Sequence, residues 1–224
     1  MTKSCLILFS VSLLLFSCSK EEEPTVPDTT SEYAGLAVGK YVVYDVDSIG
    51  FDDFDGSIDT SIYQIKETVD SEFTDLEGDQ AFKIIRYRRD ADTLAWTIID
   101  VWSSKITGTN FQKTEENLKY IKLIFPAREN KTWNGNVANN LLSQDYEYTA
   151  FDQPETIGGQ SLEKVLTVLQ YDSPDKLIRP EFFEEKYAKG IGMVYKRSMS
   201  LVRANTIKPW LGYDVTMTLS SYGG

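Results

Sequence analysis

Apolar and polar residues alternate with a period of two along most of the chain. Residues 145–150 read Asp-Tyr-Glu-Tyr-Thr-Ala, the closing segment 213–220 alternates throughout, and residues 193–201 carry apolar side chains on one face. This period is typical of half-buried strands rather than helices. It predicts further strands near residues 40–48, 59–70, 80–89, 93–103, 105–113, 118–125 and 162–171.

Short polar turns separate neighbouring strands. Residues 75–79 (Asp-Leu-Glu-Gly-Asp) and 89–92 (Arg-Asp-Ala-Asp) each lie between two β-rich runs. Short loops favour antiparallel neighbours in a meander. The expected fold class is therefore all-β: a single antiparallel, strongly curved sheet or barrel-like meander of about ten strands. The sequence leaves a sandwich open as the alternative.

One segment has the pattern of a short helix. Residues 180–189 begin with Pro180, continue with acidic residues, and place Phe183 and Tyr187 four positions apart, before Gly190. Proline at the first position and glycine after the end are typical helix limits. We therefore expect one short helix covering an end of the sheet, with Gly190-Ile191-Gly192 as a helix stop rather than a nucleotide motif.

The first residues form an export signal. An apolar stretch over residues 5–16 follows Lys3 and is too short to span a bilayer well, as in a signal peptide. Leu15-Phe16-Ser17-Cys18 resembles the lipobox of bacterial lipoproteins, which implies cleavage after residue 17 and a lipid on Cys18. The alternative is an ordinary signal peptide with a chance cysteine.

The residues behind Cys18 indicate a destination. Ser19, Lys20, Glu21, Glu22 and Glu23 resemble the acidic lipoprotein export signal of Bacteroidetes, which implies an outer-membrane protein facing the cell exterior. A solubilising tether that leaves the protein facing the periplasm is the alternative. The expected organisation is a signal peptide at 1–17, a lipidated cysteine and disordered acidic linker at 18–35, and one β domain at 36–224.

Charge and composition exclude several functions. Without residues 1–17 the chain has 22 basic and 34 acidic residues, a net charge of −12, which disfavours nucleic acid as a partner. It contains no histidine, and Cys5 and Cys18 are its only cysteines, so the domain lacks thiols. Histidine- and cysteine-based catalysis and thiolate metal sites are excluded. We expect no enzyme, no catalytic residue, no metal and no cofactor.

The most distinctive motif surrounds Trp133. Residues 132–136 read Thr-Trp-Asn-Gly-Asn, and Asn139 and Asn140 follow. A tryptophan ring can stack on a sugar while amides bind its hydroxyls, so Trp133, Asn134 and Asn136 are candidate glycan ligands. Asparagine also suits tight turns, and Trp133 can equally cap the core, which is the favoured interpretation.

Other residues are weaker candidates for a functional role. Asp53, Asp55 and Asp59 could bind calcium, although an acidic hairpin turn explains them equally well. Trp96 and Trp102 are predicted core residues on one face of a strand, and Trp210 is ambiguous. The tripeptide Asp28-Thr29-Thr30 resembles the O-glycosylation sequon of the same phylum, which makes Thr29 a candidate glycan acceptor.

The chain as a whole resembles a group of Bacteroidetes lipoproteins without an assigned activity. The matching stretches are residues 39–48, 116–126, 132–136 and 185–196. The resemblance implies location and fold, and it transfers no catalytic residue. We therefore expect a lipid-anchored, non-enzymatic module that binds or scaffolds an envelope component. The alternatives are a glycan-binding lipoprotein using Trp133 and a carboxylate-based hydrolase.

Overall fold

A computed structural model of the protein describes residues 28–224. A short 3-10 helix at Thr30–Ala34 precedes twelve strands. Within residues 28–224, no helix is long and apolar enough to cross a membrane. The strands are β1 (Tyr41–Phe51), β2 (Ile58–Thr74), β3 (Gln80–Arg89), β4 (Thr97–Ile106), β5 (Asn110–Glu115), β6 (Leu118–Ile124), β7 (Thr132–Asn134), β8 (Asp145–Ile157), β9 (Gln160–Asp172), β10 (Glu181–Ala188), β11 (Gly192–Val202) and β12 (Leu211–Gly223).

All twelve strands belong to one antiparallel sheet in the order β6-β5-β4-β3-β2-β1-β12-β11-β10-β9-β8-β7. Every strand pairs with its neighbours in sequence except that β6 and β7 do not pair with each other, and the first strand also pairs with the last. The two edge strands, β6 and β7, are consecutive in the chain and approach each other, so that the sheet nearly closes. The predicted all-β, antiparallel and barrel-like fold is confirmed, with twelve strands instead of about ten.

The predicted helix at 180–189 is wrong. Residues Glu181–Ala188 form β10, which pairs with β9 on one side and with β11 on the other. Two sheet neighbours satisfy the backbone of β10 on both sides, and this tertiary pairing overrides a local helical pattern. In the extended chain Phe183, Glu185 and Tyr187 share one face, so the spacing of Phe183 and Tyr187 also fits a strand.

The folded domain begins before the predicted boundary between residues 35 and 36. Tyr33 is 1% exposed and Ala34 is 6% exposed. Gly35 ends the 3-10 helix with φ 64°, and a Cβ there would lie 2.2 Å from the carbonyl oxygen of Ile191. Only glycine fits this close approach. Residues 30–35 are therefore part of the domain rather than of a disordered linker.

The core consists of two neighbouring clusters of buried side chains. The first joins Tyr33 to Phe111, Leu123, Tyr148 and Tyr187. The second packs β1 and β12 against β2, β9 and β11, and its members include Tyr44, Val46, Ile65, Val165, Val194 and Leu219. Charged side chains lie on the inner face of the sheet where the two clusters meet, and they form the first candidate site.

Candidate functional site

Eight charged side chains from seven strands form a continuous series of ion pairs on the inner face. We call this series the interior ion chain. Neighbouring charged groups along it are separated by 2.9 to 3.5 Å. In order, its members are Asp100, Arg86, Glu67, Lys113, Glu115, Lys122, Glu185 and Lys196.

The strand pattern explains how charges reach the inside. Glu67 occupies the same face of β2 as the buried residues Ile65 and Val69. Lys113 and Glu115 lie on the same inward face of β5 as Phe111, because alternate residues of a strand share one face. Sequence reasoning missed these residues because it read polar residues as outward-facing. The signal that could have identified them is a charged residue at the same alternate positions of a strand as its buried apolar residues.

Three carboxylates of the interior ion chain, those of Glu67, Glu115 and Glu185, are held ionised. Burial alone would raise the pKa of Glu67, but Lys113 and Arg86 outweigh it and lower the pKa below the ordinary value. At Glu115 burial is likewise outweighed, chiefly by Lys122 and Lys196, and the pKa falls to about 2. The pKa of Glu185 is lowered in the same way.

Two partners of these carboxylates, Lys122 and Tyr187, also keep their protons. Burial would lower the pKa of Lys122, but Glu115 and Glu185 raise it above its usual value. Burial raises the pKa of Tyr187, whose hydroxyl donates a 2.6 Å hydrogen bond to Glu185 Oε2. General acid–base catalysis needs a group with a pKa near the working pH. The arrangement of the interior ion chain therefore favours fixed charges over proton transfer.

A cavity of about 60 Å³ adjoins the interior ion chain. Its walls combine apolar side chains such as Val42 and Phe111 with Lys113 and Glu185. The hydroxyl of Ser104, a residue only 3% exposed, lines the cavity and has no hydrogen-bond partner among the described residues. A polar cavity of this size can hold a few water molecules. It is too small for the ligands that usual binding pockets accept.

Trp133 lies where the sheet closes. We call the contacts of β6 with residues 132–148 the seam. The indole Nε1 of Trp133 donates a 2.8 Å hydrogen bond to the carbonyl of Ile121. The hydroxyl of Tyr148 donates to the carbonyl of Ile124 at 2.9 Å and accepts from its N–H at 2.8 Å. These side chains satisfy backbone groups that an edge strand would otherwise leave unpaired.

The amides near Trp133 are also engaged within the protein. Asn134 Oδ1 accepts hydrogen bonds from the N–H groups of Asn136 and Gln144. Asn136 is 5% exposed and donates to the carbonyl of Leu142, while Asn139 donates to the carbonyl of Lys119. The polar atoms that a sugar would need are thus committed to the seam. The geometry favours the structural interpretation of this motif.

Trp96 lies in a different environment from the one predicted. It precedes β4 and lies on the outer face, where Lys66 Nζ is 5.0 Å and the Arg89 guanidinium 4.5 Å from its ring centroid. Trp102 instead packs with the interior ion chain, 3.9 Å from the Arg86 guanidinium. The prediction that Trp96 and Trp102 share one face of a core strand is wrong. A strand start at residue 97 rather than 93 places Trp96 in the β3–β4 loop.

A groove of about 430 Å³ runs along the outer face beside Trp96. We call it the outer groove. Lys66 lies between two aromatic rings, since its Nζ is also 4.7 Å from the centroid of Tyr87. Arg89 is already bound by Gln64 and by Asp92. In the described part of the chain, Lys66 forms no ion pair. The other side chains lining the groove are Tyr41, Val43, Thr68, Ser220 and Ser221.

The acidic turns are explained by their own hydrogen bonds. In the β1–β2 loop, Asp52 accepts from the N–H of Phe54, and Asp55 accepts from that of Ser57, which lowers the pKa of Asp55. These contacts favour the hairpin-turn interpretation over calcium. Asp75, Glu77 and Asp79 do form a compact acidic group, and Lys105 Nζ lies within 2.9 Å of all three. An internal lysine already supplies the positive charge there.

The predicted anchor and export residues, Cys18 and Ser19 to Glu23, lie outside the described residues. Thr29, the predicted glycan acceptor, is exposed, and its hydroxyl accepts a 2.6 Å hydrogen bond from Lys189 Nζ. Trp210 packs under the Arg203 guanidinium, 4.0 Å from the ring centroid, in the loop before β12. Glycosylation of Thr29 stays a prediction.

Comparisons with known proteins give two similar solved structures. No protein-family model matches the chain, and no curated protein matches it. A Bacteroides fragilis NCTC 9343 protein, described as exported and as having a YmcC-like fold, is 13% identical with a TM-score of 0.43, over 84% of this chain and 97% of its own. A protein of Parabacteroides distasonis ATCC 8503, described as a lipoprotein, is 13% identical with a TM-score of 0.40, over 85% of this chain and 98% of its own. At these TM-scores, neither structure assigns a function to this chain.

Proposed function

We propose that the protein is a lipid-anchored component of the cell envelope whose β domain is a non-enzymatic binding or scaffolding module. The lipid on Cys18 holds the domain at the outer membrane, and residues 19–23 direct it to the exterior. The expected partners are the membrane, through the lipid, and an envelope protein or glycan, through the domain.

One observation carries the binding role. Charged groups on the inner face form ion pairs with one another, whereas within residues 28–224 Lys66 and several hydroxyls on the outer face keep open hydrogen-bonding capacity. Catalysis by carboxylates needs one acid whose pKa is raised toward the working pH. Glu115 and Glu185 have lowered pKa values instead. This contrast supports recognition on the outside rather than chemistry on the inside.

Anchoring is tested by replacing the proposed lipid site in the full-length chain. Cys18→Ala removes the thiol that carries the lipid, so we expect the protein to move from the membrane fraction to the soluble envelope fraction. Cys5→Ala is the matched control because Cys5 lies in the signal sequence, and it should leave the protein in the membrane. Equal membrane association of both variants would contradict the proposal.

Orientation is tested by adding protease to intact cells. Degradation of the wild-type domain is expected if it faces the exterior. Replacement of Glu21, Glu22 and Glu23 by alanine should then make the domain resistant, because it would stay in the periplasm. Full protection of the wild-type protein on intact cells, together with degradation in lysed cells, would establish the periplasm-facing alternative instead.

A second candidate function is glycan binding. The outer groove is a better candidate site for a glycan than the Trp133 motif. The seam uses the indole and amide groups of that motif, whereas the groove combines aromatic rings with open hydroxyls. Aromatic faces and hydrogen-bonding side chains are the combination that sugar recognition uses. We therefore propose the outer groove as the site for a glycan.

A further inference from the structure

The outer groove contains a lysine without a counter-ion in a strongly acidic protein. The mature chain carries a net charge of −12, and most of the described lysines pair with a carboxylate. Lys66 instead contacts the rings of Tyr87 and Trp96, which leave the N–H groups of its ammonium available. Such a group suits the carboxylate of a ligand.

Four residues with hydroxyl groups line the same groove as this ammonium: Tyr41, Thr68, Ser220 and Ser221. In the described part of the chain none of these hydroxyls forms a side-chain hydrogen bond. A hydroxyl both donates and accepts, so a row of them matches the hydroxyls of a sugar ring. Trp96 adds the apolar surface against which the ring's C–H groups can pack.

Size and charge limit the ligand. The volume of about 430 Å³ lies near the lower end of the range for ligand pockets, roughly 300 to 1,000 Å³. It fits about one or two sugar rings. Asp45 binds Gln64, and Asp92 binds Arg89, so two carboxylates lie beside the groove. Among the described residues, Lys66 is the cation of the groove without an ion-pair partner. The net charge of the protein further disfavours a polyanion.

We propose that the outer groove binds a short saccharide with a single carboxylate, which pairs with Lys66 while the sugar ring contacts Trp96. This inference rests on the proposed binding role and names the ligand class and the site. Tyr41, Thr68, Ser220 and Ser221 provide hydrogen bonds to the sugar hydroxyls. Tyr87 positions the Lys66 ammonium through its ring.

Calorimetric titration of the full-length protein in detergent tests the proposal. The probes are disaccharides ending in glucuronate or galacturonate, their neutral glucose and galactose counterparts, and acetate. A charge-assisted hydrogen bond is strong enough to predict at least about tenfold tighter binding of an acidic disaccharide than of its neutral counterpart. Acetate alone should bind far more weakly, since it lacks the ring.

Two lysine variants isolate the carboxylate contact. Lys66→Met keeps the aliphatic length and should remove the preference for acidic sugars, whereas Lys66→Arg should retain it. Lys208→Met is the matched control, because Lys208 is an exposed lysine of the β11–β12 loop that does not line the groove. Trp96→Leu should weaken acidic and neutral disaccharides alike, by about tenfold or more. Circular dichroism establishes that each variant is folded.

Four results would overturn the inference: no binding of any disaccharide at millimolar concentration, equal affinity for acidic and neutral sugars, unchanged binding in Lys66→Met, or acetate binding as tightly as the disaccharides. The fractionation of Cys18→Ala and the protease test on cells involve no sugar. A failure of saccharide binding with intact anchoring and exposure therefore removes this inference alone. A failure of anchoring removes the proposed function.

Discussion

Trp133 and Trp96 look alike in sequence and occupy opposite kinds of environment. Each is a tryptophan close to a turn with polar neighbours. At the seam, the ring of Trp133 packs 4.6 Å from that of Tyr148, and its N–H is bound to the carbonyl of Ile121. In the outer groove, Trp96 contacts Lys66 and Arg89 beside open hydroxyls. One region closes the fold, and the other leaves its groups available.

The same difference separates two lysines. Lys122 lies inside the protein, with Glu185 3.0 Å away and Glu115 3.3 Å away. Lys66 lies on the outer face against two aromatic rings. Residue type therefore does not distinguish these two environments. What distinguishes them is whether the polar atoms are already used within the fold.

The largest expected effect comes from exchanging the paired and unpaired lysines for methionine. Lys122→Met leaves the buried carboxylates of Glu115 and Glu185 short of a counter-ion, which should lower the free energy of unfolding by about 3 to 5 kcal/mol. Lys66→Met should cost less than about 1 kcal/mol, because only exposed cation–π contacts are lost. Urea unfolding of the detergent-solubilised protein measures both. Similar losses of unfolding free energy in the two variants would contradict the distinction between the paired Lys122 and the unpaired Lys66.

The pH dependence of stability is the next effect in size. The pKa of Glu115 is near its ordinary value of 4.5 in the unfolded chain and about 2 in the folded protein. A lowered folded pKa contributes stability above the unfolded pKa, and this contribution is lost as pH falls through the folded value. Stability should therefore fall between about pH 5 and pH 2, by roughly 3 kcal/mol at most from Glu115.

Glu115→Gln sharpens this test. The variant removes the titrating carboxylate, so it should be less stable at pH 7 and show a shallower loss on acidification. Asp92→Asn, on the exposed side of the outer groove, is the control and should leave the slope unchanged. Urea midpoints measured across the pH range provide the comparison. An unchanged slope in Glu115→Gln would contradict the contribution of Glu115 to acid stability.

The smallest effect compares the two tryptophans directly. Trp133→Phe keeps an aromatic ring but leaves the carbonyl of Ile121 without its indole donor, which should cost about 1 to 3 kcal/mol. Trp96→Phe loses no buried hydrogen bond and should cost less than about 1 kcal/mol. Thermal unfolding of both variants checks the order. A larger loss for Trp96→Phe would mean that the outer groove, rather than the seam, stabilises the fold.

The sequence predicted the class of fold because apolar alternation survives on most strands. It failed at residues 180–189, where Pro180 and a run of acids imitate a helix start. There, Glu185 occupies an inward position between Phe183 and Tyr187, so a charge interrupts the apolar side of the strand pattern. Pairing with both β9 and β11 decides the structure at that point, and neither partner is visible in a local pattern.

The candidate sites were harder to predict because they too depend on contacts between residues that are distant in the sequence. The interior ion chain joins residues as far apart as Glu67 and Lys196, and its charges have partners only once the sheet curves. The outer groove depends on Trp96 folding back over β2 from a loop. The Trp133 motif was visible in sequence, but its role required knowing that β6 and β7 are the edges that meet.

Hydrogen exchange of the four indole N–H groups, followed by NMR of the full-length protein in detergent, tests the central comparison most directly. The Trp133 N–H is hydrogen-bonded within the seam, so it should exchange only when the protein unfolds. The Trp96 N–H should exchange rapidly at the outer groove. Fast exchange at Trp133 together with strong protection at Trp96 would contradict the assignment of Trp133 to closure and of Trp96 to recognition.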